Sequence, residues 1–449
     1  MHALRPCMLE LRGHRIALPA VTSAEPLIRG CDQREWLERL AVLGIRHLVV
    51  PLNGPEEDTC LYARRHPAPP APERAGVVYD LARRDEGVFA RLQFLLDAAD
   101  QVGVLVGFSL FNPSLAQTPA PFARDANEQN VSWDDAWGGG VGQGRASRRS
   151  STTAIRRRIT LQSRVDQALG AAVDWMAAEL RGRTAAWLQV FRGARRGGET
   201  AERLRLLEER LVRRLAEALA RPGEDATKAR LGPWVVGPPA FNWDGVRTTH
   251  RAPFGFCPCA TPDVLTHVAY AADLPRQPLL CDFTAGARNS AADARGPGRG
   301  ELWRSVMRGC WPIVPCGFSD APSQRRWKDL AQLAVFCRQW AGNGYLRACP
   351  EMLATVPQGL VAGGKACAAT DGCGRYFSYW CLALPQGLEV SLLPGTYRYY
   401  WFDPASGRGL DRGDGIEGSA QCRVPGPGRA REALLILEQE ELPDPLSVW

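Results

Sequence analysis

Lysine is nearly absent from this chain: Lys228, Lys328 and Lys365 are the three lysines among 55 basic residues. Arginine supplies the rest, and with abundant Ala, Gly and Pro this bias reflects GC-rich coding rather than a surface for phosphates. The net charge is +7, but 48 acidic residues nearly match the basic ones. The densest basic runs, Arg145 to Arg158 and Arg192 to Arg196, read as a solvated loop and a helix start. A nucleic-acid partner is therefore not expected. No apolar run approaches the roughly 20 residues of a membrane span. The N-terminal stretch "MHALRPCMLELRGHRIALPA" has no continuous apolar core and no small-residue cleavage site, so a cytoplasmic chain is expected.

Metal-ligand spacing is also missing. Cys257 and Cys259 stand as CxC rather than CxxC, with no histidine pair at zinc-finger distance. No metal or cofactor is expected, and the fourteen cysteines, without a secretory signal, are expected to be reduced. No GxGxxG follows a first strand, which weakens a doubly wound dinucleotide-binding sheet.

What is present is alternation. At 449 residues the chain is long enough for two domains. "DQREWLERLAVLG" (32–44) places Trp36, Leu37, Leu40 and Leu43 on one helical face, with Asp32 as N-cap and Gly44 as stop. "EGVFARLQFLLDAADQVG" (86–103) repeats the pattern, and helices are predicted over 159–183, 199–220, 301–310 and 325–340. Between them lie short apolar runs: "HRIALPA" (14–20), "IRHLVVPLNG", "VLVGFSLFNP", "AWLQVFRG", "PWVVGPPAFNWDG", "DVLTHVAYA" (263–271), "PLLCDFTAG" and "WPIVPCGF". Eight strands alternating with helices predict an α/β (β/α)8 TIM-type barrel over residues 1–345. After "AGNGYLRACP" the pattern changes to short strands between turns, which predicts an antiparallel β-sandwich over 346–449. In "TYRYYWF", Tyr397, Tyr399 and Trp401 share one face, and "DPASG" (403–407) is a turn in which Pro presets φ and Gly takes positive φ.

This layout resembles the cellulase-like retaining glycoside hydrolases, and more closely their apiosidase-like branch, in which the barrel precedes a β-sandwich of the collagen-binding type. The sharpest piece is "LEVSLLPGTYRYYWFDPASGRGL", which looks like that sandwich's hairpin. "WLERLAVLGIRHLVVPLN", "LQFLLDAADQVGVLVGFSLF", "PDVLTHVAY", "PLLCDFTAG" and "LWRSVMRGCWPIVPCGF" resemble barrel units of the family.

The resemblance implies carbohydrate chemistry with two carboxylates at strand ends, about 5–5.5 Å apart in retaining enzymes. The acid/base would end the fourth strand as Asn-Glu, but here the matching residues are Phe191 and Arg192. Arginine, with a pKa above about 12, has no proton to deliver at neutral pH. Asp282 stands where the seventh-strand nucleophile would be, either in that role or as a strand-end acid paired with an arginine such as Arg192. Asp244 after the fifth strand and Asp134, beside Asp135 in the long loop, are candidate replacement acids; Glu199 opens a helix, where a glutamate is ordinary. Trp133 and Trp137 in the Trp-rich loop, Trp243 and Trp311 offer faces for sugar rings, or pack on their own surroundings. His267 matches a position often occupied by histidine in these barrels, or is a capping residue. Two readings follow: a glycosidase homologue using Asp282, or a non-catalytic protein that binds glycan on a degenerate barrel. The substitution at Arg192 favours the second.

Overall fold

The computed structural model describes residues 5–6, 8–11, 14–17, 19–54, 56–65, 78–111, 120–122, 126–127, 132, 136, 152–183, 186–191, 199–219, 234–236, 241–242, 245–246, 255–257, 279–283, 298–318, 321–340, 345–362, 365–382, 384, 387–428 and 430–440. Eight parallel strands form one curled sheet: β1 (Ala20–Thr22), β2 (His47–Pro51), β3 (Leu105–Phe111), β4 (Ala186–Phe191), β5 (Trp234–Val236), β6 (Gly255–Cys257), β7 (Leu279–Asp282) and β8 (Cys310–Pro315). Their spatial order is β5-β4-β3-β2-β1-β8-β7-β6, so the first strand pairs with the last, as a barrel requires. Among the described residues no pairing joins β5 to β6.

Six helices alternate with these strands: α1 (Gln33–Val42), α2 (Glu86–Val102), α3 (Thr152–Leu180), α4 (Glu199–Leu219), α5 (Arg299–Met307) and α6 (Ala321–Gln339). The predicted signals set their ends. Asp32 accepts from Glu35 N at 3.0 Å and Asp85 from Val88 N at 3.0 Å. Gly44 and Gly103 close α1 and α2 with φ of 77° and 75°. On α4, Leu207, Leu211, Val212 and Leu215 are buried, while Arg210 and Arg214 reach Asp166 and Asp174 of α3.

Two strands differ from expectation. His14–Ala17 pairs antiparallel with Met8–Leu11, and the first barrel strand begins only at Ala20. Pro19 lies between them and cannot donate to a ladder. The sixth strand is Gly255–Cys257, in register with β7, whereas the predicted run 263–271 lies outside the described residues. Three residues are too few to show a periodic pattern, so the longer apolar run masked it.

The C-terminal region forms a seven-stranded antiparallel sheet. Its described strands include β9 (Tyr345–Ala348), β10 (Ala366–Thr370), β11 (Arg375–Trp380), β13 (Thr396–Phe402), β14 (Gly409–Glu417) and β16 (Ala433–Gln439). A two-stranded sheet of β12 (Leu388–Val390) and β15 (Cys422–Val424) lies beside it. The seventh strand of the larger sheet is Arg5–Pro6, which pairs with β9. The turn after β13 has the expected chemistry: Gly407 has φ 69°, and Asp403 caps Ala405 N at 2.9 Å and Ser406 Oγ at 2.7 Å.

Both faces of the sheet's central strands are packed, while β14 at its edge is largely exposed. Tyr397, Tyr399 and Trp401 join Tyr376, Trp380 and the β12–β15 sheet in one core. The opposite face belongs to the barrel's core. Phe377 meets Phe336 of α6 at 5.2 Å, Tyr379 stacks on Trp303 of α5 at 6.4 Å, and Tyr400 and Phe402 both meet Trp340 at 5.3 Å. Arg299, held by Asp329 of α6 at 2.6 Å, adds an ion pair across the same seam to Glu432 at 3.1 Å.

Candidate functional site

Register divides the barrel strands into two faces. Leu48, Val50, Val106, Phe108, Leu110, Leu188 and Val190 form one face, uniformly apolar and buried under the helices. The other face holds His47, Val49, Gly107, Ser109, Phe111, Trp187, Gln189 and Phe191. Continuing through β1 and β8, it holds Thr22, Ile313, Trp311 and Asp282. A face with polar residues among apolar ones is the barrel interior.

Gly107 shows how this interior is built. A Cβ there would overlap the Trp187 ring, so the indole lies across the glycine. Its Nε1 donates to His47 Nε2 at 2.9 Å, and both side chains are fully buried.

Asp282 is the last residue of β7, in register with Ile313, and is 0 % exposed. The seventh-strand carboxylate therefore reaches the interior face at the C-terminal end, where barrel enzymes place their chemistry. Trp311 shares this face, fully buried one layer lower, beside Leu280.

The β3–β4 end of the mouth is built differently. Phe111 and Phe191, the last residues of their strands, lie in register with rings 6.1 Å apart. Phe111 also meets Phe122 at 6.2 Å, and Phe122 meets Tyr62 at 5.8 Å. Tyr62 donates to Ala168 O of α3 at 3.0 Å. All four rings are buried, so an aromatic cluster caps this side. These residues come from separate parts of the chain, and no local signal in the sequence marked them.

Asn53 and Glu25 also went unmarked. Asn53 takes a left-handed φ of 52°, bonding Leu110 O at 3.0 Å and Leu61 N at 3.0 Å, which anchors the loop after β2 to β3. Glu25, after β1, accepts from Phe318 N at 2.8 Å and Trp36 Nε1 at 3.2 Å. It clasps the loops after β1 and β8 beside the stacked Phe318 and Trp327 rings, 4.5 Å apart.

Arg192, Asp244, His267, Trp133, Trp137, Asp134, Asp135 and Trp243 lie outside the described residues, and Glu199 is described only as the first residue of α4. Among the described residues no group of three or more His, Cys, Asp or Glu could hold a metal. No helix among them is long and apolar enough to cross a membrane.

No protein-family model matches the chain, and no curated protein matches it. Solved structures do. A glycoside hydrolase family 5 protein from Bacteroides vulgatus ATCC 8482 superposes with a TM-score of 0.57 at 11 % identity, covering 100 % of this chain and 97 % of that one. A second structure, described as a glycoside hydrolase, gives a TM-score of 0.57 at 10 % identity over 98 % of this chain and 97 % of the other. At such identities the likeness shows the fold: a glycoside-hydrolase-type α/β barrel with antiparallel sheets C-terminal to it.

Proposed function

We propose that this chain recognises carbohydrate on a glycosidase-type barrel, with Asp282 at the centre of the cleft and without the family's acid/base. The observation that carries this reading is the contrast between two strand ends. β7 ends in a carboxylate on the interior face, and β4 ends in a phenylalanine packed into an aromatic cluster. Hydrolysis with retention needs a proton donor facing the nucleophile. Phe191 cannot donate, and neither can Arg192 beside it. The likeness to solved glycoside hydrolases supports the ligand class, with Arg192, His267, Trp133, Trp137, Asp134 and Trp243 as candidate sugar contacts; Trp311, fully buried below Asp282, packs the interior instead. Asp244 is the candidate replacement acid should the protein turn over substrate. The apiosidase-like kinship and the collagen-binding-type sandwich rest on the "YRYYWFDPASG" hairpin.

The test is a panel of aryl glycosides and plant and microbial polysaccharides, assayed for both binding and hydrolysis, with Asp282→Ala as control. Binding without turnover, weakened about tenfold or more in the variant, is the expected outcome. Turnover that vanishes in Asp282→Ala would establish a relocated acid and overturn the non-catalytic reading. Binding equal in both proteins would remove Asp282 from the site.

A further inference from the structure

Ser109 and Gln189 are register partners on the interior face of β3 and β4. Each is 1 % exposed, and Ser109 Oγ and Gln189 Oε1 have no hydrogen-bond partner among the described residues. One layer below, Trp187 covers Gly107 and its indole is committed to His47. One layer above, Phe111 and Phe191 close the wall. The two residues thus sit side by side between two aromatic layers. Leaving them unmatched costs the full desolvation of each group, while neighbouring apolar strands show that this barrel has apolar residues to place there.

We propose that Ser109 and Gln189 form a subsite for one hydroxyl oxygen. Adjacent strands are about 4.8 Å apart, so a single oxygen between the two side chains can bond both. A hydroxyl suits them because it donates to Gln189 Oε1 while exchanging a hydrogen bond with Ser109 Oγ, which can also donate or accept. A methyl group would leave both oxygens unmatched, and a charged group would enter an aromatic-walled site with no counter-ion among these described residues. The hydroxyl has two sources: a resident water held in the barrel wall, or the deepest hydroxyl of a bound sugar. The second source rests on the carbohydrate reading above; the first does not.

A high-resolution crystal structure of the unaltered protein without glycan decides first. Density within hydrogen-bond distance of both Ser109 Oγ and Gln189 Oε1 identifies a resident water and is the expected result. If glycan-free crystals lack that density, crystals grown with a glycan from the binding panel must show a sugar hydroxyl there. Density in neither, or the absence of any bound glycan when glycan-free crystals are empty, overturns the subsite. The Ser109→Ala/Gln189→Met protein supplies a second readout. An occupied subsite predicts a lower Tm when the occupant is water. It predicts binding weaker by about tenfold at unchanged Tm when the occupant is a sugar hydroxyl. A higher Tm with unchanged binding means the oxygens were idle and refutes the proposal. Failure of the carbohydrate reading alone leaves the glycan-free crystal result standing, so the two can be told apart.

Discussion

Two ends of the same parallel sheet have been put to different uses. At β3–β4 the interior face ends in Phe111 and Phe191, joined by Phe122 and Tyr62 from loops. At β7 it ends in Asp282. A strand terminus in a barrel can face its mouth or be sealed by packing. The first choice keeps a polar group buried; the second adds apolar contact and removes chemistry. This barrel makes both choices a few strands apart, so mutations at the two ends should separate stability from recognition.

The largest effect is expected from Phe111→Ala, which removes a fully buried ring with two aromatic neighbours. Truncating such a ring costs about 3–5 kcal/mol, measurable by urea denaturation. A loss under about 1 kcal/mol would mean that the cluster collapses onto the gap and contributes little packing. Gly107→Ala comes next, because its Cβ enters the Trp187 ring and must displace the indole from His47. Overpacking of this kind costs about 1–3 kcal/mol, and the near-ultraviolet circular dichroism of the displaced tryptophan should change with it. A variant as stable as the parent, with unchanged tryptophan signal, would show that the indole has another seat.

Asp282→Asn sharpens the comparison from the other side. It keeps shape and removes charge at a site where no ring packing is lost. Its stability change is expected to fall below that of Phe111→Ala, while its effect on glycan binding exceeds that of any substitution in the aromatic cap that still folds. The reverse ranking, with Asp282→Asn unfolding the protein and leaving binding intact, would make Asp282 a structural residue.

Much of this architecture was legible in the sequence because local chemistry and tertiary structure agree. Asp32 and Asp85 cap helices where spacing predicted them, and Gly44 and Gly103 end those helices with positive φ. What was not legible depends on contacts between distant segments. Tyr400 and Phe402 lie opposite Tyr397 and Trp401, so "TYRYYWF" is aromatic on both faces of its strand. That pattern implies two buried faces, but only packing shows that one of them rests on Trp340 of the barrel. At the site, Asp282 was visible as a strand-end acid, since its strand is a short apolar run that stops at it. Ser109 and Gln189 were visible as single polar residues in "VGFSLF" and "WLQVF", yet a lone polar residue does not say which neighbour it faces. The aromatic cap was invisible, because Tyr62, Phe111, Phe122 and Phe191 share no local spacing.

The smallest effect concerns a second buried carboxylate, Asp371, which serves as a reference for Asp282. Asp371 lies in the turn between β10 and β11, where Oδ1 accepts from Cys373 N at 2.8 Å and Arg375 N at 3.0 Å. Its job is visibly local: it holds a turn. Burial pushes its pKa above the ordinary 3.8, and the backbone N–H bonds and Arg375 offset this only in part. The sign follows from linkage. A raised pKa means that the folded state holds the proton more tightly than the unfolded chain. This contribution is therefore fully present below pH 3.8 and is lost as pH rises through the folded-state value. Asp371→Asn keeps the accepting oxygen and has no such titration. The variant's stability relative to the parent should therefore be lowest near pH 3.8 and increase toward neutrality, as read by urea denaturation across that range. A variant that instead loses stability relative to the parent as pH rises would mean the ionised carboxylate stabilises the turn. Asp371 would then resemble a helix cap, and burial alone would not distinguish a structural acid from Asp282.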